Sequence, residues 1–484
     1  MNGSLSPSTD DPGLPGPLSR VLATHSLQYG LAGSLGKVVA LLAVPYLTRT
    51  LSPHGYGLAD LATSLSALLT LVAMFGGDLA AARLRSRVTN AAERRTILTM
   101  YVLAVAGAST VLAVSLAPFS APLAGTLWTS TEDSPLFALA LVLVPLSAAQ
   151  SALVHIQRLE LRPGAFAGLA VLDLIAQVVL AVLLVALGFG PYGVVLGFIA
   201  GSAIGLAAAA WAARPFVGRP FDASVAAQLV RDGLSFLPAT ALFVVADYAV
   251  RAMLANAAGE DAVGNYAVAV RIASVLTLAT YGFSMVWGSY GFALSPGGAT
   301  SRAAMSWYLT LALGLGGALA VMSPEAVLVA AGVEYTAAVH MIPGLLAAAG
   351  IAGGYFVLVV AAGSANRARF VLLSALVGAV IQSALAAGLV ASLGVEAVGL
   401  APVAGQLAAF VVLGMSLPAV SRPALLLAVV PVVSVPLVAG LTWAPLDGIP
   451  IVIRAGVAIV ILGATALLLL SAKRWQPEPP RQQS

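Results

Sequence analysis

Four cationic side chains, Lys37, Arg251, Arg271 and Arg454, interrupt stretches that are otherwise apolar. An ionised group at mid-bilayer costs at least ~2.5–3.5 kcal/mol on insertion scales, so each needs a cavity or a partner. Lys37 falls about ten residues into its stretch, about 15 Å deep at the rise of an α-helix. Arg251 and Arg271 sit in consecutive stretches, roughly 8–11 Å below one shared surface if the two run antiparallel. Desolvated cations facing a common cavity would attract a polyanionic head group, a phosphate or pyrophosphate, far more strongly than they would in water. Lys37, Arg271 and Arg251 are therefore the candidate substrate-binding residues. Asp247 lies one turn before Arg251 and offers it an internal ion pair. As intramembrane carboxylates, Asp247 and Asp173 are also candidates for coupling to a proton or sodium ion. Pro45, two turns beyond Lys37, removes a backbone hydrogen bond and is a gating candidate, able to let its helix bend over an occupied cavity. Arg49 and Arg454 lie near stretch ends and read as interface anchors.

Catalytic chemistry finds little support. His25, His54, His155 and His340 are scattered without metal-ligand spacing, and cysteine is absent, so neither a metal site nor a thiolate centre is expected. The sequence carries no phosphate loop for ATP and no nucleophile elbow. No cofactor is expected, and any energy would come from a proton or sodium gradient or the membrane potential. The formal charge of +4 is compatible with nucleic acid, but the basic residues stand singly between apolar runs.

Of the 484 residues, 60% are hydrophobic and only 9% charged, which excludes an ordinary soluble fold. Hydropathy and turn residues predict an all-α integral membrane protein of about fourteen transmembrane helices. The spans are expected at 27–47, 58–81, 96–119, 135–155, 165–187, 193–213, 234–256, 264–293, 303–322, 341–362, 370–391, 397–417, 424–442 and 449–471. Eighteen of the 23 basic residues fall in the tails and in every second loop, which predicts that both termini are cytoplasmic. A weak echo between residues 30–64 and 233–274 suggests two parallel six-helix lobes followed by two C-terminal helices. The expected organisation is a disordered tail at 1–26, an N-lobe at 27–213, an inter-lobe loop at 214–233, a C-lobe at 234–417, helices 13 and 14 at 424–471, and a tail at 472–484. Residues 323–341, SPEAVLVAAGVEYTAAVHM, are half apolar and suit a short helix lying at the outer interface.

Three patches carry a resemblance. PYLTRTLSPHGYGLADLATSLSALL (45–69), the segment 234–276 with Pro238, Asp247, Gly264, Tyr266 and Arg271, and GVEYTAA (332–338) resemble Wzx-type polysaccharide flippases of the multidrug/oligosaccharidyl-lipid/polysaccharide exporter superfamily. In one departure, Arg251 follows Asp247 by four residues, where relatives often carry the pair side by side. The resemblance implies a fourteen-helix, two-lobed exporter of the cytoplasmic membrane with a cationic central cavity. Its substrate would be an undecaprenyl-pyrophosphate-linked oligosaccharide, flipped from the inner to the outer leaflet for cell-surface polysaccharide biosynthesis. Membrane lipids, polysaccharide polymerases and glycosyltransferases are the partners it implies. The rival readings are a lipid-linked peptidoglycan precursor flippase, a drug or metabolite cation antiporter of the same superfamily, and an integral-membrane polymerase or glycosyltransferase. A cation antiporter should carry a carboxylate rather than Lys37 in its first lobe, and the enzymes should carry a substantial outer loop.

Overall fold

The computed structural model describes residues 39, 41–218, 221–235, 237–291, 298–365, 367–417 and 451–472. Lys37, the tails at 1–26 and 473–484, and the span expected at 424–442 lie outside the described residues. The described chain is helical throughout, with no strand. Eleven of its helices are long and apolar enough to cross a membrane, and each overlaps one of the spans expected between 58–81 and 397–417. The protein is an all-α, multi-pass membrane protein.

Polar breaks and caps divide the apolar runs. Helix α1 covers 41–50, and Ser52 then caps α2 (Pro53–Met74), its hydroxyl accepting from the Gly55 amide at 3.2 Å. Left-handed Phe75 and Gly76 separate α2 from α3 (Gly77–Arg85). The first half continues through α4 (Ala91–Leu116), α5 (Ser120–Leu127), α6 (Ser134–Leu159), α7 (Pro163–Ala186) and α8 (Gly190–Ala213). Prolines open α6, α7 and α8, where the missing amide hydrogen is of no consequence. Pro145 and Pro343 lie inside helices, whereas Pro238 and Pro402 fall in first turns.

Where a loop was expected at 214–233, the chain forms α9 (Ala223–Leu234). Its apolar stripe lies on α3 and α4, with Leu229 buried. Asp222 caps this helix by accepting from the Ser224 and Val225 amides and the Ser224 hydroxyl, bonds that hold its carboxyl below the usual range. The second half comprises α10 (Leu237–Ala258), α11 (Glu260–Gly291), α12 (Gly298–Val321), α13 (Ser323–Ala330), α14 (Ala338–Ser364), α15 (Ala368–Leu393), α16 (Leu400–Met415) and α17 (Ile451–Ala472). The interfacial segment becomes α13 and a 3₁₀ turn at Val333–Tyr335, and Arg454 of α17 pairs with its Glu325 at 2.6 Å.

Small residues set the tightest packing, as expected where no hydrophobic force drives helices together in lipid. Gly193, Gly197 and Gly201 recur every fourth residue on α8 and bring its backbone against α7; a Cβ on Gly197 would stand 2.3 Å from the Ala181 amide nitrogen. Helices α2, α4, α6, α7 and α8 pack with one another, as do α10, α11, α12 and α14 to α17, and α2 meets both α10 and α11. Gly57 and Gly264 permit the latter contact, each lying where a Cβ would strike a backbone carbonyl of the other side. One end of the bundle gathers Arg85, Arg158, Arg162 and Arg214 beside α9, while the other joins 48–57, 128–133, 260 and 330–337 by hydrogen bonds. These are called the arginine-rich and arginine-poor ends.

Candidate functional site

The α2 face that meets α10 and α11 carries Tyr56, Asp60 and Thr63 within two turns, and one cavity uses all three. This space of about 130 Å³ is walled by Ala43, Val44 and Leu47 of α1, by Gln177 and Ala181 of α7, by Val194 and Phe198 of α8, and by Arg271 of α11. Arg271 is half-buried, on the same cavity wall as Tyr56. Among the described residues no carboxylate comes within 4 Å of Arg271, although Asp60 shares the wall.

Asp60 is engaged elsewhere. The Arg251 Nε donates to Asp60 Oδ2 at 2.7 Å, and Nη1 donates to Asp247 Oδ2 at 2.6 Å and to the Asp247 carbonyl at 3.1 Å. The guanidinium also stands 5.3 Å from the Tyr266 ring centroid. Both Arg251 and Asp60 are buried, at 4% and 6% exposure. In a low dielectric such a triad holds only when every charge is bonded, as it is here. The predicted Asp247–Arg251 pair is therefore present, joined by Asp60 of α2.

The Asp247 side chain stays 46% exposed and opens into a second space, of about 350 Å³, with Tyr266, Ser274, Thr277, Gln382 and Gln406. Gln406 Oε1 is buried there without a hydrogen-bond partner among the described residues. The triad thus lies between two cavities, with Asp60 on the wall that also carries Arg271 and Asp247 on the wall of the other.

Asp173 joins neither group. Its Oδ2 accepts from Gln177 Nε2 at 3.0 Å, and Gln177 donates onward to Ser202 at 3.0 Å. Its Oδ1 is buried without a partner among the described residues and pressed against Gly205, where a Cβ would come within 2.4 Å. Gln177 reaches the first cavity, so Asp173 lies one hydrogen bond behind that wall. Pro45 is in helical α1, half-buried, next to the lining residues Val44 and Leu47. Among the described residues no three potential metal ligands converge.

Two helical halves flanking paired cavities define a membrane protein with a flippase-like transporter fold. The chain is similar in structure to the lipid II flippase MurJ in an inward closed conformation, with TM-score 0.66, 12% identity, and coverage of 93% of this chain and 100% of that one. It is likewise similar to a variant of the Vibrio cholerae MATE transporter VcmN, with TM-score 0.60, 14% identity, and coverage of 86% and 98%. A Pyrococcus furiosus transporter of the MOP superfamily, described as having a binding pocket of reverse polarity, matches with TM-score 0.59, 15% identity, and coverage of 89% and 96%. At these identities the likeness is one of fold. No curated relative matches the sequence. The family model for polysaccharide biosynthesis proteins matches residues 23–287, and the chain belongs to that family.

Proposed function

We propose that the protein is a flippase that carries an undecaprenyl-pyrophosphate-linked oligosaccharide from the inner to the outer leaflet of the cytoplasmic membrane, for cell-surface polysaccharide biosynthesis. In this reading both termini and the arginine-rich end are cytoplasmic, and the two halves, 27–213 and 234–417, work as lobes that alternate access. The observation that carries it is Arg271, a half-buried guanidinium on a cavity wall with no carboxylate partner among the described residues. A pyrophosphate would supply the missing counter-charge, each charge-assisted hydrogen bond contributing about 1.5–3 kcal/mol. Lys37, seven residues before the lining Val44 in the sequence, is the second proposed cation. Arg251 acts through the triad rather than by touching substrate, since both its carboxylate partners are already in place. Asp247 and Asp173 are the proposed coupling carboxylates, and Pro45 the gating residue. Glycosyltransferases and a polymerase would supply the substrate and consume it.

The test is Lys37→Ala with Arg271→Ala in cells that depend on this protein for surface glycan. The expected outcome is normal expression with lipid-linked glycan accumulating at the inner leaflet and surface glycan falling about tenfold or more, since the loss of even one of the two charge-assisted contacts is worth about that factor. Surface glycan at the parental level would reject the assignment of the cavity.

A further inference from the structure

The Asp60–Arg251–Asp247 triad ties the two halves of the molecule together. Asp60 comes from α2, while Arg251 and Asp247 come from α10. Closer to the arginine-poor end the same seam is backbone against backbone: Gly57 meets the Glu260 carbonyl, and Gly264 meets the Pro53 carbonyl. Tyr335 donates to the Leu51 carbonyl at 3.1 Å and Thr48 to the Ala330 carbonyl at 3.0 Å, so α1 and the segment after α13 are joined as well. Asp60 stands on the wall of the first cavity and Asp247 on that of the second, so the triad lies between the two cavities.

We infer that Arg251 is the latch of the arginine-poor end, holding the halves closed there through Asp60 and releasing that contact each time the end opens. The neighbouring ties are neutral hydrogen bonds, van der Waals contacts and charged contacts at solvent-exposed positions, such as Arg49 to the Val329 carbonyl at 3.1 Å and Thr129 to Glu260 at 2.9 Å, all of which water replaces readily. The Arg251–Asp60 bond joins side chains only 5% and 6% exposed and behaves otherwise, because its attraction depends on water staying out. Arg251 keeps Asp247 on its own helix when Asp60 departs, so the guanidinium is never left without a carboxylate. That asymmetry suits a contact made and broken repeatedly: one charge-assisted bond crosses the seam and the others stay within α10.

The inference rests on the alternating-access part of the proposed function and not on its substrate. The absence of cysteine makes the test direct. Thr63 lines the first cavity, so Thr63→Cys reports access to it. A membrane-impermeant maleimide is applied separately to each face of the membrane, in right-side-out and inside-out vesicles. In the Thr63→Cys background, Asp60→Asn removes the seam charge and keeps the shape, and it is expected to raise labelling from the arginine-poor face at least fivefold. Arg251→Lys keeps the charge and is expected to stay within twofold of its parent. Unchanged labelling in Asp60→Asn, or equal labelling from both faces as an unfolded chain would give, overturns the latch. Glycan flipping measured in the same strains is independent of this readout: a failed latch with intact flipping leaves the proposed function standing, and a working latch without flipping does the reverse.

Discussion

Deleting the guanidinium of Arg251 would strand two carboxylates, one of them only 6% exposed, whereas deleting that of Arg271 would strand none among the described residues. Removing one member of a buried ion pair costs about 3–5 kcal/mol. Arg251→Ala should therefore lower the thermal midpoint of the purified protein markedly, while Arg271→Ala should leave it nearly unchanged and impair transport. Thermal unfolding in detergent checks both, and an equal loss of stability in the two variants would remove the distinction between tie and binding residue. The sequence alone marked Arg251, Arg271, Asp247 and Asp173 as the charges that need explaining, because an ion in an apolar run is costly wherever it lies. It could not assign the partners. Asp60 and Arg251 are 191 residues apart in the chain, and only the meeting of α2 with α10 brings them together.

Helices were legible where apolar length and capping residues agreed, as in the eleven spans, and less so where short polar breaks concealed structure. Helix α9 carries its signals openly, with Asp222 as cap and Val225 and Leu229 one turn apart, but a charged twenty-residue break reads first as a connection. Helix α5 leads into Trp128, which is buried and donates to the Tyr248 hydroxyl at 2.9 Å, a contact no local pattern announces. The four-residue glycine spacing of α8 was hidden for another reason: with 48 glycines in the chain, any spacing recurs. Its consequence is testable. Gly197→Ala would set a methyl 2.3 Å from the α7 backbone, which has no side-chain freedom to yield, while Gly168→Ala meets nothing within 4 Å. Overpacking of this kind costs about 1–3 kcal/mol. The first variant should lose folded yield and the second should match the parent, and size-exclusion profiles with thermal midpoints would show it; similar behaviour in both would mean that the α7–α8 seam does not depend on close approach.

At the scale of the whole molecule the two ends differ in charge. Arg83, Arg85, Arg87, Arg94, Arg95, Arg158, Arg162 and Arg214 all lie in or beside the short connections at one end, and only some are neutralised, Arg85 by Glu160 and Arg158 by Asp78. The opposite connections carry Glu132, Asp133, Glu260 and Glu396. Arginine near the end of a span is retained on the cytoplasmic side during insertion, so this asymmetry should fix the orientation of the entire bundle. In that orientation the proposed Arg251 latch would lie toward the outer face. Ser86 is exposed at the arginine-rich end and Thr131 at the arginine-poor end. In intact cells an impermeant maleimide should label the Thr131→Cys chain and leave the Ser86→Cys chain unmodified until the membrane is opened. The reverse pattern would turn the molecule over, and a lipid-linked glycan made on the cytoplasmic side would then first meet the end that the triad closes.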